Sequence, residues 1–347
     1  MRKIINVVLL LSLLVSCTRN ENEKVPCYQI TLQAVGEDDY VLGAGSEMAA
    51  NEDFILIEEQ NTDSLIHVID VKNGAKHIGR IGEIGQGPEE FLIITNICTT
   101  ADKKGFCAYD ANRKILWQLK HTENGWEQIK LFEPDSLFHR VIKPLNDSTY
   151  LASGYYNNHK FFLLSKDGDV LNRVGEWPYR DEAEKKVSGV MKSQAYVGDF
   201  TVSPSGKNVV YACLASDILS FYTYSDLELS LNKEIVNEYV DYNYRHDSNH
   251  FSGTSRKASF GYLSIASNNN YVYLLYSGRS IKEYDLKAFQ GNSIHVYTWE
   301  GEKVAELKSE SDLDRICMSP DGDKLYAVAL VPDYRLVEIS LPEVLQD

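Results

Sequence analysis

From residue 28 onward the chain alternates short runs of β-branched and aromatic residues with clusters of Gly, Asn and Asp. Runs of this length predict strands, and the polar clusters between them predict turns. No long stretch carries the 3.6-residue period of an amphipathic helix. The best candidate is 181–192, read as one short surface helix. The predicted class is all-β.

Two kinds of hairpin recur. The first joins two apolar strands through a polar turn and is found six times, at 47–57, 97–109, 141–152, 201–213, 263–276 and 316–330. The second turns on a glycine, at Asn73-Gly74, Asn124-Gly125, Asp167-Gly168 and Glu300-Gly301. Asn-Gly and Asp-Gly pairs reach positive φ cheaply, as a two-residue hairpin turn requires. One hairpin of each kind gives four antiparallel strands, the blade of a β-propeller. Gly74 to Gly125 is 51 residues and Gly125 to Gly168 is 43, each near one blade. Gly168 to Gly301 is 133, enough for two blades with two non-repeating insertions, 177–196 and 241–260. Six first-kind hairpins predict six blades. The sixth lacks a fourth strand of its own, and the spare strand 28–32 is expected to fill that place and close the ring.

The N-terminus carries a different signal. Arg2 and Lys3 precede an apolar run over 4–15, broken only by Asn6 and Ser12, and Leu14-Val15-Ser16-Cys17 follows. The run is short for a permanent membrane span and reads as the core of an export signal. Its last four residues match a lipobox, in which Cys17 takes up diacylglycerol. Residues 1–16 are therefore expected to be a signal peptide, 17–27 the lipidated cysteine and its tether, and 28–347 the propeller. The 50 acidic residues outnumber the 35 basic ones, for a net charge of −15. That balance disfavours nucleic acid and fits a neutral or cationic partner. The five cysteines beyond Cys17 lack metal-type CxxC spacing. Cys98, Cys213 and Cys317 read as small buried hydrophobes, and Cys98 could face Cys107 across one hairpin.

The segment Gly79-Arg80-Ile81-Gly82-Glu83-Ile84-Gly85-Gln86-Gly87-Pro88-Glu89-Glu90-Phe91 resembles the G-x-GQGPGEF stretch of the six-bladed, TolB-like propeller lipoproteins of Bacteroides-type bacteria. Glu89 stands where that family commonly has glycine. The turns Ser203-Pro204-Ser205-Gly206-Lys207 and Ser319-Pro320-Asp321-Gly322-Asp323-Lys324 are similar to its SPDGK turns. The resemblance covers essentially the whole mature chain. It implies a fold and a place in the cell envelope, as an outer-membrane lipoprotein facing periplasm or medium, and assigns no activity.

Strand parity puts every connection from an outer strand to the next inner strand on one side of the disc. The GQGP segment and both insertions should therefore crowd one mouth of the central channel. The candidate ligand-binding residues there are Arg80, Gln86, Trp177, Tyr179, Arg180, Tyr242, Tyr244, Arg245 and His246. Aromatic faces beside Arg and His donors suit a sugar ring or an extended peptide. The same aromatics could equally pin long loops to the disc. The Gly-rich segment runs into Pro88 and a strand, with no helix to cradle a phosphate. The sequence holds no GxSxG elbow and no HExxH, and His246 and His250 sit in a stretch too rich in Asn, Ser and Gly to be a helical metal pair. Glu47 and Asn96 could line the channel towards a calcium ion, without a full ligand set, so no cofactor is expected. The leading reading is a non-catalytic, lipid-anchored binding or scaffold protein that captures a glycan, a peptide or an envelope protein. The alternative is a propeller enzyme at the channel mouth, a metal-dependent hydrolase or a polysaccharide lyase. A third is an assembly protein of the envelope.

Overall fold

The computed structural model describes residues 24–36, 40–60, 63–135, 137–243 and 253–346. Cys17 and the stretch 1–16, expected to be an export signal, lie outside the described residues.

Four blades are separate four-stranded antiparallel sheets. Blade 1 is Glu47–Ala50, Phe54–Glu58, Ser64–Asp70 and Lys76–Glu83, and blade 2 is Ile94–Thr99, Phe106–Asp110, Ile115–Thr122 and Gly125–Phe132. Blade 3 is His139–Pro144, Thr149–Gly154, Phe161–Ser165 and Val170–Val174. Blade 4 is Gly198–Val202, Asn208–Cys213, Ile218–Ser225 and Glu228–Val236. Blades 5 and 6 share one long strand. Tyr262–Ser267, Tyr271–Tyr276 and Gly291–Thr298 lead into Lys303–Met318, whose residues 303–308 pair with Gly291–Thr298 as the outer strand of blade 5. Its residues 313–318 pair with Lys324–Leu330 as the inner strand of blade 6, which Tyr334–Ser340 extends. All six first-kind hairpins fall where the sequence pattern puts them.

Ring closure differs in detail from expectation. Gln33–Ala34, rather than 28–32, is the antiparallel fourth strand of blade 6, with Gln33 opposite Glu338. Cys27–Gln29 pairs in parallel with Glu306–Lys308 of blade 5. Between them the Ile30 N–H donates to the Lys308 carbonyl at 2.9 Å, while the Ile30 side chain enters the core shared by blades 5 and 6. The segment thus straddles two blades, because one buried isoleucine fixes where it crosses.

Each blade is covered on both faces by its neighbours, so its second strand has no polar face. Phe54–Glu58 and Phe106–Asp110 are buried at every position. Ala49, Leu56 and Val68 of blade 1 pack on Ile97, Ala108 and Trp117 of blade 2. Tyr109 and Leu116 of blade 2 meet Ile142, Ala152 and Phe162 of blade 3. Each such aliphatic side chain contributes roughly 1.5–3 kcal/mol through burial.

The expected single surface helix at 181–192 is instead two short helices, Glu182–Lys185 and Gly189–Ala195. Ser188 starts the second by accepting the Met191 N–H on its hydroxyl, an N-cap that interrupts one helix and begins another. Glu184, Met191, Ser193 and Ala195 are buried, so the pair is packed against the blades rather than exposed on the surface. Gly189 permits the approach: a Cβ there would sit 1.1 Å from the Asn157 carbonyl oxygen.

Candidate functional site

On the side carrying the outer-to-inner connections, the insertion at 177–196 meets the segment leaving blade 4. Arg180 donates to the Val240 carbonyl at 2.6 Å and pairs with Glu184 at 3.2 Å. Its guanidinium lies 5.5 Å over the Tyr242 ring. The Tyr196 hydroxyl donates to Glu184 at 2.8 Å. Trp177 and Tyr242 are each 4% exposed, and Trp177 meets Tyr211 edge-on. Tyr179 stays open, with the Lys185 ammonium 5.2 Å over its ring. Tyr244, Arg245 and His246 lie outside the described residues.

The GQGP turn is organised by Glu90, whose carboxylate accepts the Gly87 N–H at 2.5 Å. A Cβ on Gly85 would stand 1.9 Å from that carboxylate, so glycine is what lets the loop close on it. Gln86 is exposed at the turn. Arg80 pairs with Glu59 at 3.4 Å, and Glu59 in turn accepts from His67 Nε2 at 2.7 Å.

The same side carries an element that the sequence pattern did not reveal. Residues 277–290 join the second and third strands of blade 5 through the helix Ile281–Tyr284 and a 3-10 turn, Asp285–Phe289. Phe289 packs on Phe260 at 4.6 Å, and Arg279 pairs with Asp312 at 2.6 Å. Leu286 is left 76% exposed. Ile84, Leu92, Phe138, Tyr239 and Phe289 are also exposed on connections of this side. Together they put an interrupted apolar rim on the connections of this side. Leu286 and Phe289, three apart in a polar stretch, were its one visible sequence signal.

The channel is lined by charged groups of the inner strands. Lys143 lies 2.9 Å from both Asp199 oxygens and 2.6 Å from the Phe200 carbonyl. Arg140 donates to Gly198 at 3.0 Å, and Arg315 to Ser46 at 2.7 Å. Every one of these bonds crosses between blades. Asn96, expected to line the channel, turns into the seam between blades 2 and 3 and accepts the Ile142 N–H at 3.0 Å. Ser264 does the same for Ile316 between blades 5 and 6 at 3.1 Å.

Glu47 does line the channel, directly opposite Glu58 across its hairpin. Glu47 is half-buried and borders a narrow void of about 70 Å³. Burial first, then the Asp199 carboxylate, push it up to about 7. Burial, then the Glu47 carboxylate, push Glu58 up to about 8. Among the described residues no three His, Cys, Asp or Glu side chains converge as metal ligands.

On the opposite side the turns of the six first-kind hairpins enclose a bowl of about 740 Å³, bordered by Asn51, Thr100, Asn146, Ser205, Asn268 and Pro320. Its lining comes from six short polar turns far apart in the chain, so no continuous stretch of sequence marks it.

Six blades, two of them joined through one long strand, a channel braced between blades by the Lys143–Asp199 pair and by arginines on backbone carbonyls, and long connections gathered on one side define a six-bladed β-propeller. The chain belongs to the TolB-like 6-blade propeller-like family, whose sequence model matches residues 29–321. Among solved structures it is similar to a Bacteroides fragilis protein described as exported, at 11% identity and a TM-score of 0.59, covering 92% of this chain and 100% of that one. It is also similar to Raptor of Chaetomium thermophilum, at 10% identity and a TM-score of 0.53, covering 91% of this chain and 30% of that one. At such identities the likeness is one of fold. A search of curated protein sequences finds no match.

Proposed function

We propose that this chain is a lipid-anchored binding or scaffold protein of the cell envelope, which captures a partner protein, a peptide or a glycan on its loop side. The observation that carries this reading is the apolar rim. A lone exposed leucine is ordinary, but Ile84, Leu92, Phe138, Tyr239, Leu286 and Phe289 come from several blades and share one side. Exposed apolar groups gathered in that way favour docking, and rigidly scaffolded loops are where binding tends to reside. The net charge of −15 would draw a partner with basic groups around an apolar centre. Export rests on the signal over 1–16 and the lipobox cysteine, and is supported by the likeness to a protein described as exported.

The test is site-specific photo-crosslinking in intact cells, with the crosslinker at Leu286 or Phe138 and, separately, at Lys103 beside the bowl. Discrete adducts from the first two positions support the reading. Adducts from Lys103 alone overturn it. Metabolic lipid labelling that persists in Cys17→Ser would overturn the anchor.

A further inference from the structure

The geometry points to Cys98 and Cys107 as a redox-active dithiol that closes into a cross-strand disulfide at the seam between blades 2 and 3. The two residues are direct partners across the first hairpin of blade 2. Such partners have Cα atoms about 4.5–5.5 Å apart, within the range that a disulfide spans, and project to the same face of the sheet. Both side chains belong to one apolar cluster with Ile142 and Tyr150 of blade 3. Among the described residues the other cysteines lack such a partner: Cys213 faces Gly198, Cys317 faces Tyr326 and Cys27 faces Glu306.

Access sets the order of events. Cys98 is half-buried and borders the 740 Å³ bowl, whereas Cys107 is 1% exposed. The neighbouring Cys98 thiol, then burial, hold the Cys107 thiol well above its ordinary range, and with its poorer access it enters second. The Cys98 thiolate attacks one sulfur of an incoming disulfide, R–S–S–R, forming a mixed disulfide and expelling one thiolate, which takes up the proton Cys98 lost. Cys107 then gives up its proton and attacks the Cys98 sulfur, expelling the second thiolate. Two protein thiols are oxidised to one disulfide while one external disulfide is reduced to two thiols. Closure also removes the S–H bond that Cys98 makes to the Ile142 carbonyl at 3.9 Å, a link between neighbouring blades at the floor of the bowl. None of this depends on the proposed function, because the pair is read from the hairpin itself.

The experiment uses the full chain, purified under reduction, exposed to glutathione disulfide, quenched by alkylation and mapped by mass spectrometry. Cys27 is exposed and reports that the oxidant has acted. The expected result is joint loss of alkylation at Cys98 and Cys107, with a linked peptide pair that dithiothreitol separates. In Cys107→Ser the reaction should stop at a glutathione adduct on Cys98. If Cys27 is fully converted while Cys98 and Cys107 stay free in the wild-type chain, the inference fails. It fails equally if wild-type Cys98 stops at the glutathione adduct.

Discussion

Glu58 is 0% exposed and neither of its carboxylate oxygens has a hydrogen-bond partner among the described residues. Its cross-strand neighbour is another carboxylate, Glu47. An ionised Glu58 would be a desolvated charge facing a like charge, and the fold avoids this by keeping the proton up to about 8. A carboxyl that titrates later in the folded than in the unfolded chain stabilises fully below the ordinary carboxylate range. That contribution is lost as pH rises through the folded value. Each pH unit of delay is worth about 1.4 kcal/mol, so Glu58 alone would carry on the order of 5 kcal/mol, which relaxation and water entry reduce to ~2 kcal/mol. Glu47 and Asp314, pushed up to about 7 and about 6, act in the same direction. Chemical denaturation of the wild-type chain and of Glu58→Gln, from about pH 5 to about pH 9, should show stability falling with pH in both, by ~2 kcal/mol less in the variant. The difference in slope is what matters, since a buried amide brings its own pH-independent cost. Equal slopes, or a wild-type chain that gains stability with pH in this window, would refute the reasoning.

Asn96→Ala leaves the buried Ile142 N–H without its acceptor and should cost about 1–3 kcal/mol in urea unfolding. Glu184→Ala strands Arg180 and the Tyr196 hydroxyl. It should cost roughly 3 kcal/mol and open 177–196 to limited proteolysis, where the wild-type chain resists. Deleting residues 24–36 frees the edges at Glu306–Lys308 and Tyr334–Ser340, so hydrogen exchange should rise there well before it rises in blades 2 and 3.

The blades were legible because each inner hairpin turns on Gly, Asn, Asp or Pro, whose conformational preferences act locally. Where a turn breaks that habit, the reading failed. Ile218–Ser225 and Glu228–Val236 join through Asp226 and Leu227, both at positive φ (50° and 62°). A left-handed leucine is costly enough that no sequence rule proposes it; pairing of the two strands along their length holds it in place. The strand Lys303–Met318 was read as two pieces, because one strand serving two sheets leaves no mark in a period-two pattern. The loop aromatics were visible as residues, but not the division of labour among them. Trp177 and Tyr242 are consumed in packing while Leu286 is left in water, and that depends on neighbours far away in sequence. The bracing of the channel was hidden for the same reason: Lys143 and Asp199 are 56 residues apart.

The central claim is that the loop side, and not the bowl, is the working face. Hydroxyl-radical footprinting of the full chain in its native envelope, against the same chain purified, compares both sides in one measurement. The account predicts protection in the envelope at Leu92, Phe138, Leu286 and Phe289, with Lys103, Pro204 and Pro320 around the bowl unchanged. Protection of the bowl turns with a fully reactive rim would contradict it.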